Sequence, residues 1–367
     1  MLSKKSTWNP NEKKIHTEPT MDVAGVQKQL AGKYVISHQI GQGGYGTVFH
    51  AENPRLAKAV AIKCVQMYVQ GDGMDLSTGV CVTVLRESAA LRMLRHPGVV
   101  ELIDVIVGDG VVLYAMELCG DGDLNGLVTD MRRRHMTSMP WEILRSFTEQ
   151  LLDAVAYIHS CRVSHRDIKP SNILLKDSRT LKLCDFGMSR TVRIDSIVEG
   201  RPVINDPARR YTVGCTTLGF RPPELLMSAN TGYNPFCLDR WSLGCVIAEM
   251  IQLYPFVCNT NEALSLAHIF KLFGTPTETT WPGVSRLMPA ASKIWPPLGV
   301  RRYFASLRSL VPPDVMAVAD GMLRLNPAAR MLPSRALALM HRVAEDEWDQ
   351  AAAVVRRKAK RRREDLV

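Results

Sequence analysis

Three side chains in the middle of the chain have the types and spacing needed to transfer a phosphoryl group. Asp167 lies in the run Ser-His-Arg-Asp-Ile-Lys-Pro-Ser-Asn at 164–172, which ends at Asn172, and Asp185 opens the run Asp-Phe-Gly at 185–187. A carboxylate can accept the proton of an attacking hydroxyl, and amide and carboxylate oxygens are ligands that Mg²⁺ prefers. Asp167 is therefore a candidate base, and Asn172 and Asp185 are candidate Mg²⁺ ligands.

A glycine-rich run lies nearer the N-terminus, at 41–48, and reads Gly-Gln-Gly-Gly-Tyr-Gly-Thr-Val. Glycine lets the backbone approach phosphate oxygens because it has no Cβ. A similar string marks dinucleotide-binding proteins, but there a helix follows the glycines directly. Here the chain continues as Thr-Val-Phe-His-Ala, which is typical of a strand, and a second strand-like run at 59–63 ends at Lys63. The loop is therefore predicted to cover nucleotide phosphates.

These motifs, in this order, resemble those of the protein kinase family. The resemblance implies an α+β, bilobal fold, with a β-rich N-lobe that holds one key helix and a mainly helical C-lobe. It implies ATP and Mg²⁺ as cofactors and serine or threonine of proteins as acceptors. Lys169 would neutralise charge on the γ-phosphate. The nucleotide-binding residues implied by the resemblance are Gly41, Gly43, Gly46, Val48, Ala61, Lys63, Glu87, Met116, Glu117 and Cys119.

Within that set, Lys63 would orient the α- and β-phosphates, and Glu87 would hold the lysine by an ion pair. The alternative is that Glu87 is a surface charge on its helix. The run at 117–120 resembles the family's hinge, whose backbone groups bind adenine, and Met116 would lie at the back of that pocket. Cys184 is expected either to line the pocket or to serve as a small packing residue.

Residues 33–345 resemble the cyclin-dependent kinases in particular. The run Leu-Phe-Gly-Thr-Pro-Thr-Glu-Thr-Thr-Trp-Pro-Gly at 272–283 is similar to that family's C-lobe insert. The run at 81–87, Cys-Val-Thr-Val-Leu-Arg-Glu, is a divergent form of its cyclin-facing helix. The resemblance implies a cyclin-like regulatory subunit. The alternatives are a mitogen-activated-type kinase and a pseudokinase scaffold that binds partners without turnover.

Three arginines, Arg86, Arg166 and Arg190, occupy the positions that gather around one phosphothreonine in that family. Alignment of the activation segment places Thr212 at the phosphoacceptor position. A phosphate offers three acceptor oxygens, so several guanidiniums can bind it at once. Tyr45 matches an inhibitory tyrosine of the glycine loop, and the alternative is an aromatic cap on the nucleotide site.

Four further positions carry implications of the same resemblance. Thr217 falls where a hydroxyl bridges the catalytic aspartate and lysine. Arg221 matches the arginine that shapes a pocket for proline after the target residue, so Ser/Thr-Pro sites are the predicted substrates. Gly-Phe at 219–220 replaces the family's Trp-Tyr. Arg330 resembles the buried arginine that pairs with the glutamate closing the activation segment, here Glu224.

The 367-residue chain is predicted to comprise a disordered extension at 1–32, a kinase domain at 33–345 and a basic tail at 346–367. Within the domain, the N-lobe is expected at 33–118 and the C-lobe at 121–345. The stretch 356–363 holds seven positive charges, against a net charge of +10 for the whole chain. It indicates a nuclear-import or nucleic-acid-contacting segment, or else a solubilising helix end. Nucleic acid binding is predicted nowhere else.

Composition limits the cellular setting. The nine cysteines include no C-x-x-C pair, which is typical of reduced thiols rather than of a zinc site or a disulfide framework. No apolar run approaches the roughly 18 residues of a membrane span, and the N-terminus lacks the apolar stretch of a secretory signal. The sequence therefore predicts a protein of the nucleus, the cytoplasm or both, with no membrane contact.

Overall fold

The structure is a computed structural model, and it describes residues 22–43, 46–55, 57–67, 81–192, 196–198, 201–203, 216–227, 233–257, 261–287 and 311–342. These residues divide into two compact units. The N-terminal unit lies within Met1–Gly79 and Ile103–Met116, and the C-terminal unit within Val80–Leu102 and Glu117–Val367. The basic tail at 346–367, Tyr45 and Thr212 lie outside the described residues.

The N-terminal unit is built on a five-stranded sheet in the order β1-β2-β3-β5-β4. The turn at 108–110 joins two neighbouring strands, and the N–H of Gly108 donates to the carbonyl of Val111 at 2.9 Å. Apolar side chains of alternate residues form the core on one face, because successive strand residues point to opposite faces. The strands are β1 (Val35–Gly43), β2 (Gly46–Asn53), β3 (Lys58–Gln66), β4 (Leu102–Val107) and β5 (Val111–Glu117).

A short helix precedes the sheet, α1 (Val23–Gln29), where the sequence predicted disorder. Asp22 caps it by accepting the N–H of Gly25 at 2.8 Å. Val26 and Leu30 are fully buried in the core of the sheet. The prediction of a disordered extension is therefore wrong for residues 22–32, because two apolar side chains one turn apart pack against the strands.

The C-terminal unit is mainly helical, as predicted. Its longest helices are α4 and α6, and the apolar residues that recur at helical spacing along α4 are buried. Every residue of α6 from Pro235 to Ile251 is buried. Residues 333–342 are also helical. The helices are α2 (Val82–Met93), α3 (Leu124–Arg133), α4 (Trp141–Ser160), α5 (Pro223–Met227), α6 (Pro235–Gln252), α7 (Glu262–Phe273) and α8 (Pro313–Met322).

Short strands position the loops between α4 and α5. They pair as β6 (Val163–Ser164) with β9 (Arg190–Thr191), β7 (Ile173–Asp177) with β8 (Thr180–Leu183), and β10 (Ser196–Val198) with β11 (Arg201–Val203). Helix α2 groups with this unit because it packs against β9 and against the 3₁₀ turn Phe186–Met188. Among the described residues, no helix is long and apolar enough to cross a membrane.

Candidate active site

Asp167 lies at the centre of a hydrogen-bonded cluster in the C-terminal unit. Its Oδ2 lies 2.7 Å from Lys169 Nζ and accepts from Asn172 Nδ2 at 3.1 Å. Its Oδ1 accepts from the N–H and the hydroxyl of Thr217, at 3.1 and 3.0 Å. Lys169 Nζ also donates to Thr217 Oγ1 at 3.0 Å, so this hydroxyl bridges the two charged groups as predicted. The structure thus brings together all four predicted catalytic residues.

A buried aspartate on α6, Asp239, holds the backbone of this loop. Its Oδ1 accepts the N–H of Arg166 at 2.7 Å, and its Oδ2 accepts the N–H of His165 at 2.9 Å and the hydroxyl of Ser164 at 2.8 Å. Burial alone would raise the pKa of Asp239, but the hydrogen bond from His159 and these backbone bonds outweigh it and lower that pKa. Asp239 is a positioning residue that sequence reasoning missed, although a lone acid at the start of an apolar helix was a signal for it.

Two residues of the site have left-handed backbone conformations. Arg166 has φ 66° and Asp185 has φ 62°, a region that costs a non-glycine residue about 1–3 kcal/mol. Neighbouring bonds hold them there: His165 Nε2 lies 2.9 Å from the carbonyl oxygen of Cys184, and the Cys184 N–H donates to the carbonyl of Asn172 at 3.0 Å. Asp185 follows Cys184 directly, so these bonds fix its backbone beside the catalytic loop.

The chemistry of Asn172 and Asp185 fits a magnesium ion. Asn172 Nδ2 donates to the carbonyl oxygen and to Oδ2 of Asp167, at 2.9 and 3.1 Å, which leaves the amide oxygen as the acceptor of this side chain. No group of three or more His, Cys, Asp or Glu side chains forms a metal cage in the described part of the chain. One carboxylate and one amide oxygen suit Mg²⁺, which keeps several waters and binds substrate phosphates.

The three predicted phosphate-binding arginines lie on neighbouring segments. Ser164 pairs with Arg190 across β6 and β9, and α2, which carries Arg86, packs against β9. Arg166 is fully buried, with Nε bound to the carbonyl of Met188 at 2.8 Å. No described group accepts a hydrogen bond from its second terminal nitrogen. A buried guanidinium nitrogen without an acceptor is costly, so this position suits an anion.

In the N-terminal unit, β1 and β2 form the glycine hairpin, with Gly43 opposite Gly46. Gly46 has φ 138°, and a Cβ there would overlap the carbonyl oxygen of Cys64 on β3. Glycine is therefore required at this position by the packing of the sheet itself, whatever the loop binds. Lys63 is buried and lies opposite Val48 in the β2–β3 register.

Glu87 lies in the C-terminal unit and is 3% exposed, so the surface-charge alternative is wrong. A Cβ at Gly187 would lie 3.9 Å from Glu87 Oε2 and 3.6 Å from Asp185 Oδ1, which places both carboxylates around this glycine. Lys63 belongs to the other unit, and its ion pair with Glu87 stays a prediction.

The side chain of Glu117, a predicted hinge residue, belongs to an ion network that sequence reasoning missed. Its carboxylate lies 2.6 Å from Lys182 Nζ and 3.1 Å from Lys176 Nζ, and its N–H donates to the carbonyl of Glu101 at 3.0 Å. Burial opposes ionisation, but the lysines outweigh it and lower the pKa of Glu117. Burial also raises the pKa of the Cys119 thiol to about 11, so this thiol is neutral.

Comparisons with known proteins agree with this architecture. Residues 34–342 match the family described as Protein kinase domain. The chain is 32% identical to Cyclin-dependent kinase 2 of Caenorhabditis elegans, over 90% of this chain and 84% of the relative. It is 31% identical to Serine/threonine-protein kinase PITSLRE of Drosophila melanogaster, over 82% of this chain but only 30% of that protein.

A solved structure from Chaetomium thermophilum, the CAK complex bound to ATP-gamma-S, contains a similar chain. It matches with a TM-score of 0.72 and 30% identity, over 87% of this chain and 94% of that one. The protein therefore belongs to the protein kinase family. Within that family it is a serine/threonine kinase of the cyclin-dependent type, as the sequence predicted.

Proposed function

We propose that this kinase transfers the γ-phosphate of ATP to serine or threonine followed by proline in protein substrates, under the control of a cyclin-like subunit. The observation that supports phosphoryl transfer is the cluster in which Asp167 contacts both Lys169 and Thr217. The name of the nematode relative and the ATP analogue in the fungal structure support the cyclin-like subunit and the nucleotide. On α2, the exposed side chains of Val82 and Leu85 offer apolar surface for a protein partner.

In the proposed mechanism, most of the rate enhancement comes from positioning of the reactants and from electrostatic stabilisation of the transition state. Asp167 orients the acceptor hydroxyl and takes its proton, and Thr217 keeps the carboxylate and the ammonium of Lys169 in place. Lys169 stabilises charge that grows on the transferred group. Mg²⁺, held by Asn172 and Asp185, would neutralise the phosphate oxygens when bound.

The preference for proline rests on Arg221. Its guanidinium donates to the carbonyl of Thr216 at 2.8 Å and forms an ion pair with Glu262. The carbonyl that precedes Thr217 is thus already bound. If the residue after the target serine or threonine has a backbone N–H, that N–H is buried near this carbonyl but cannot use it as an acceptor. Proline has no backbone N–H, so it leaves no donor unsatisfied.

A pair of peptides that differ only in this proline tests the proposal. The Ser-Pro peptide should be phosphorylated with a kcat/KM about five- to 160-fold above that of its Ser-Ala twin, because an unsatisfied buried donor costs about 1–3 kcal/mol. The kinase is a tagged chain isolated from its own cells, so that activating partners are retained. The variant Asp185→Asn is the control for contaminating kinases.

Equal rates on the two peptides would contradict the proline preference and leave the kinase activity intact. Rates that match those of Asp185→Asn on both peptides would contradict phosphoryl transfer by the isolated protein. A Ser-Pro preference that is lost in Arg221→Met but kept in Arg133→Met, an exposed arginine on α3, would support the role of Arg221.

Phosphorylation of Thr212 is proposed to activate the kinase. The second terminal nitrogen of Arg166, which has no acceptor among the described residues, supports this. Thr212→Ala should lower kcat/KM on the Ser-Pro peptide at least about tenfold, because each hydrogen bond to a charged group contributes about 1.5–3 kcal/mol. The measurement is kcat/KM on the Ser-Pro peptide for wild type and for Thr212→Ala, each isolated from cells and assayed before and after phosphatase treatment. Thr279→Ala, at an exposed position, is the matched control. Unchanged turnover in Thr212→Ala would contradict the proposal.

A further inference from the structure

The guanidinium of Arg166 is held at two of its three nitrogens by neighbouring groups of the C-terminal unit. Its Nε donates to the carbonyl of Met188 at 2.8 Å, and its Nη1 donates to the hydroxyl of Tyr233 at 3.0 Å. The residue is fully buried, and its Nη2 has no acceptor among the described residues. Arg166 therefore has one nitrogen to offer to a further ligand, and the bonds at the other two decide where that nitrogen points.

The backbone of Arg166 is fixed as well, so its side chain starts from a defined point. Its N–H donates to Asp239 Oδ1 at 2.7 Å, and its carbonyl accepts from the hydroxyl of Thr216 at 2.9 Å. The direction of Nη2 therefore depends on the side-chain torsions, which the bonds to Met188 and Tyr233 set. Because the guanidinium is planar and rigid, binding at two of its nitrogens fixes the third in space.

Tyr233 lies directly before α6, and its ring is held by apolar contacts. Together with Met188, it packs against the buried side chains of Leu225 on α5 and Leu238 on α6. The next residue, Asn234, caps the first turn of α6 through its side chain. The position of the tyrosine hydroxyl is thus set by α5 and by the start of α6, the helix that also carries the aspartate bound to the backbone of Arg166.

We infer that Tyr233 is a positioning residue for activation, whose hydroxyl directs Nη2 of Arg166 at the phosphate on Thr212. The inference rests on the proposed function, since it takes phosphorylation of Thr212 as the activating step. Arg190 lies on β9, opposite Ser164 of β6, and its Nε is likewise buried without an acceptor among the described residues. A guanidinium already held in its bound orientation loses little freedom when the phosphate arrives, which favours binding.

The same guanidinium connects the phosphate to both parts of the catalytic site. Its Nε binds the last residue of the 3₁₀ turn Phe186–Met188, which begins directly after Asp185. Arg166 itself directly precedes Asp167. If the guanidinium rotates, the carbonyl at the end of this turn loses its donor beside a candidate metal ligand. The orientation that Tyr233 sets therefore affects how the phosphate acts on catalysis.

The test is a double-mutant cycle on kcat/KM for the Ser-Pro peptide, with Tyr233→Phe, Thr212→Ala and the double variant, each isolated from its own cells. Tyr233→Phe should lower kcat/KM of the Thr212-phosphorylated protein about fivefold or more, because its hydroxyl accepts from a charged group. In the Thr212→Ala background it should change kcat/KM less than about twofold, because no phosphate is there to be bound. Tyr254→Phe, at an exposed tyrosine, should leave both backgrounds unchanged.

A second measurement follows the phosphate directly. Mass spectrometry first establishes equal phosphorylation of Thr212 in wild type and in Tyr233→Phe, and a phosphatase should then remove the phosphate about fivefold faster from the variant, because arginine binding protects it. The inference is overturned if Tyr233→Phe lowers kcat/KM by equal factors in both backgrounds, as a residue needed only for packing would, or if the two dephosphorylation rates are equal. Unchanged turnover in Thr212→Ala would instead overturn the proposed activation itself.

Discussion

Replacing Asp167 with asparagine should lower kcat about a hundred- to ten-thousand-fold, the range that a general base contributes. The carboxylate accepts from Asn172 Nδ2, from the ammonium of Lys169, and twice from Thr217. An asparagine amide offers one acceptor oxygen, so its NH₂ group would face donors of the cluster and could not take a proton from the substrate. The measurement is kcat on the Ser-Pro peptide together with the Kd of ATP.

The expected pattern separates chemistry from binding. The ATP Kd should change little, because Asp167 belongs to the acceptor side of the reaction in this mechanism, and a loss in kcat alone marks an interaction made in the transition state. Asp130→Asn is the matched control: Asp130 lies on α3, where it pairs with Arg134 at 2.8 Å in a largely exposed ion pair. A variant at position 167 that kept more than about a tenth of kcat would contradict the base role.

The catalytic cluster could be predicted from the sequence because its parts are local. Asp167, Lys169 and Asn172 lie within one short loop, and the 3₁₀ turn Pro170–Asn172 returns the amide to the carboxylate. Thr217 is fifty residues away along the chain, and only the resemblance to a known family placed it here. Motif spacing thus predicts contacts within one loop. Contacts between residues far apart in sequence can be predicted only by resemblance to a family of known structure.

The groups that position the site were not predictable in the same way. Asp239 binds the backbone of Arg166 across 73 positions of sequence, and a single acid in an apolar helix does not reveal which loop it will reach. Helix α1 was missed because its seven residues are too short for a periodic signal, and its stability comes from tertiary packing of Val26 and Leu30. Burial depends on which elements pack together in the folded chain, whereas periodicity can be read from the sequence alone.

The buried ion pair between Arg330 and Glu224 was expected from family resemblance, and the structure confirms it as bidentate. Arg330 Nη1 donates to Glu224 Oε1 at 2.7 Å, and Arg330 Nη2 donates to Glu224 Oε2 at 2.6 Å. The guanidinium is 0% exposed, and its Cζ lies 5.1 Å from the ring centroid of Trp241. Its remaining donors bind three carbonyls, including that of Cys237 at 2.8 Å. The ion pair therefore links α5, which carries Glu224, to the buried residues around α6.

Replacing Arg330 with methionine should destabilise the kinase by about 3–5 kcal/mol, because it leaves the carboxylate of Glu224 buried without a counter-charge. Methionine keeps much of the side-chain volume, so loss of charge pairing dominates over loss of packing. The measurement is the denaturant midpoint of unfolding at fixed protein concentration, with the slope of the transition checked against wild type. Activity should fall as well, since Glu224 anchors the end of the segment that carries Thr217.

Two variants make this expectation specific. Arg134→Met breaks the exposed ion pair with Asp130 by the same substitution, and it should cost less than about 1 kcal/mol because water solvates the charge that remains. The double variant Arg330→Met with Glu224→Gln removes the buried charge altogether, so it should be more stable than Arg330→Met alone. Two outcomes would contradict this explanation. One is that Arg330→Met lowers the free energy of unfolding no more than Arg134→Met does. The other is that adding Glu224→Gln to Arg330→Met destabilises the protein further instead of restoring stability.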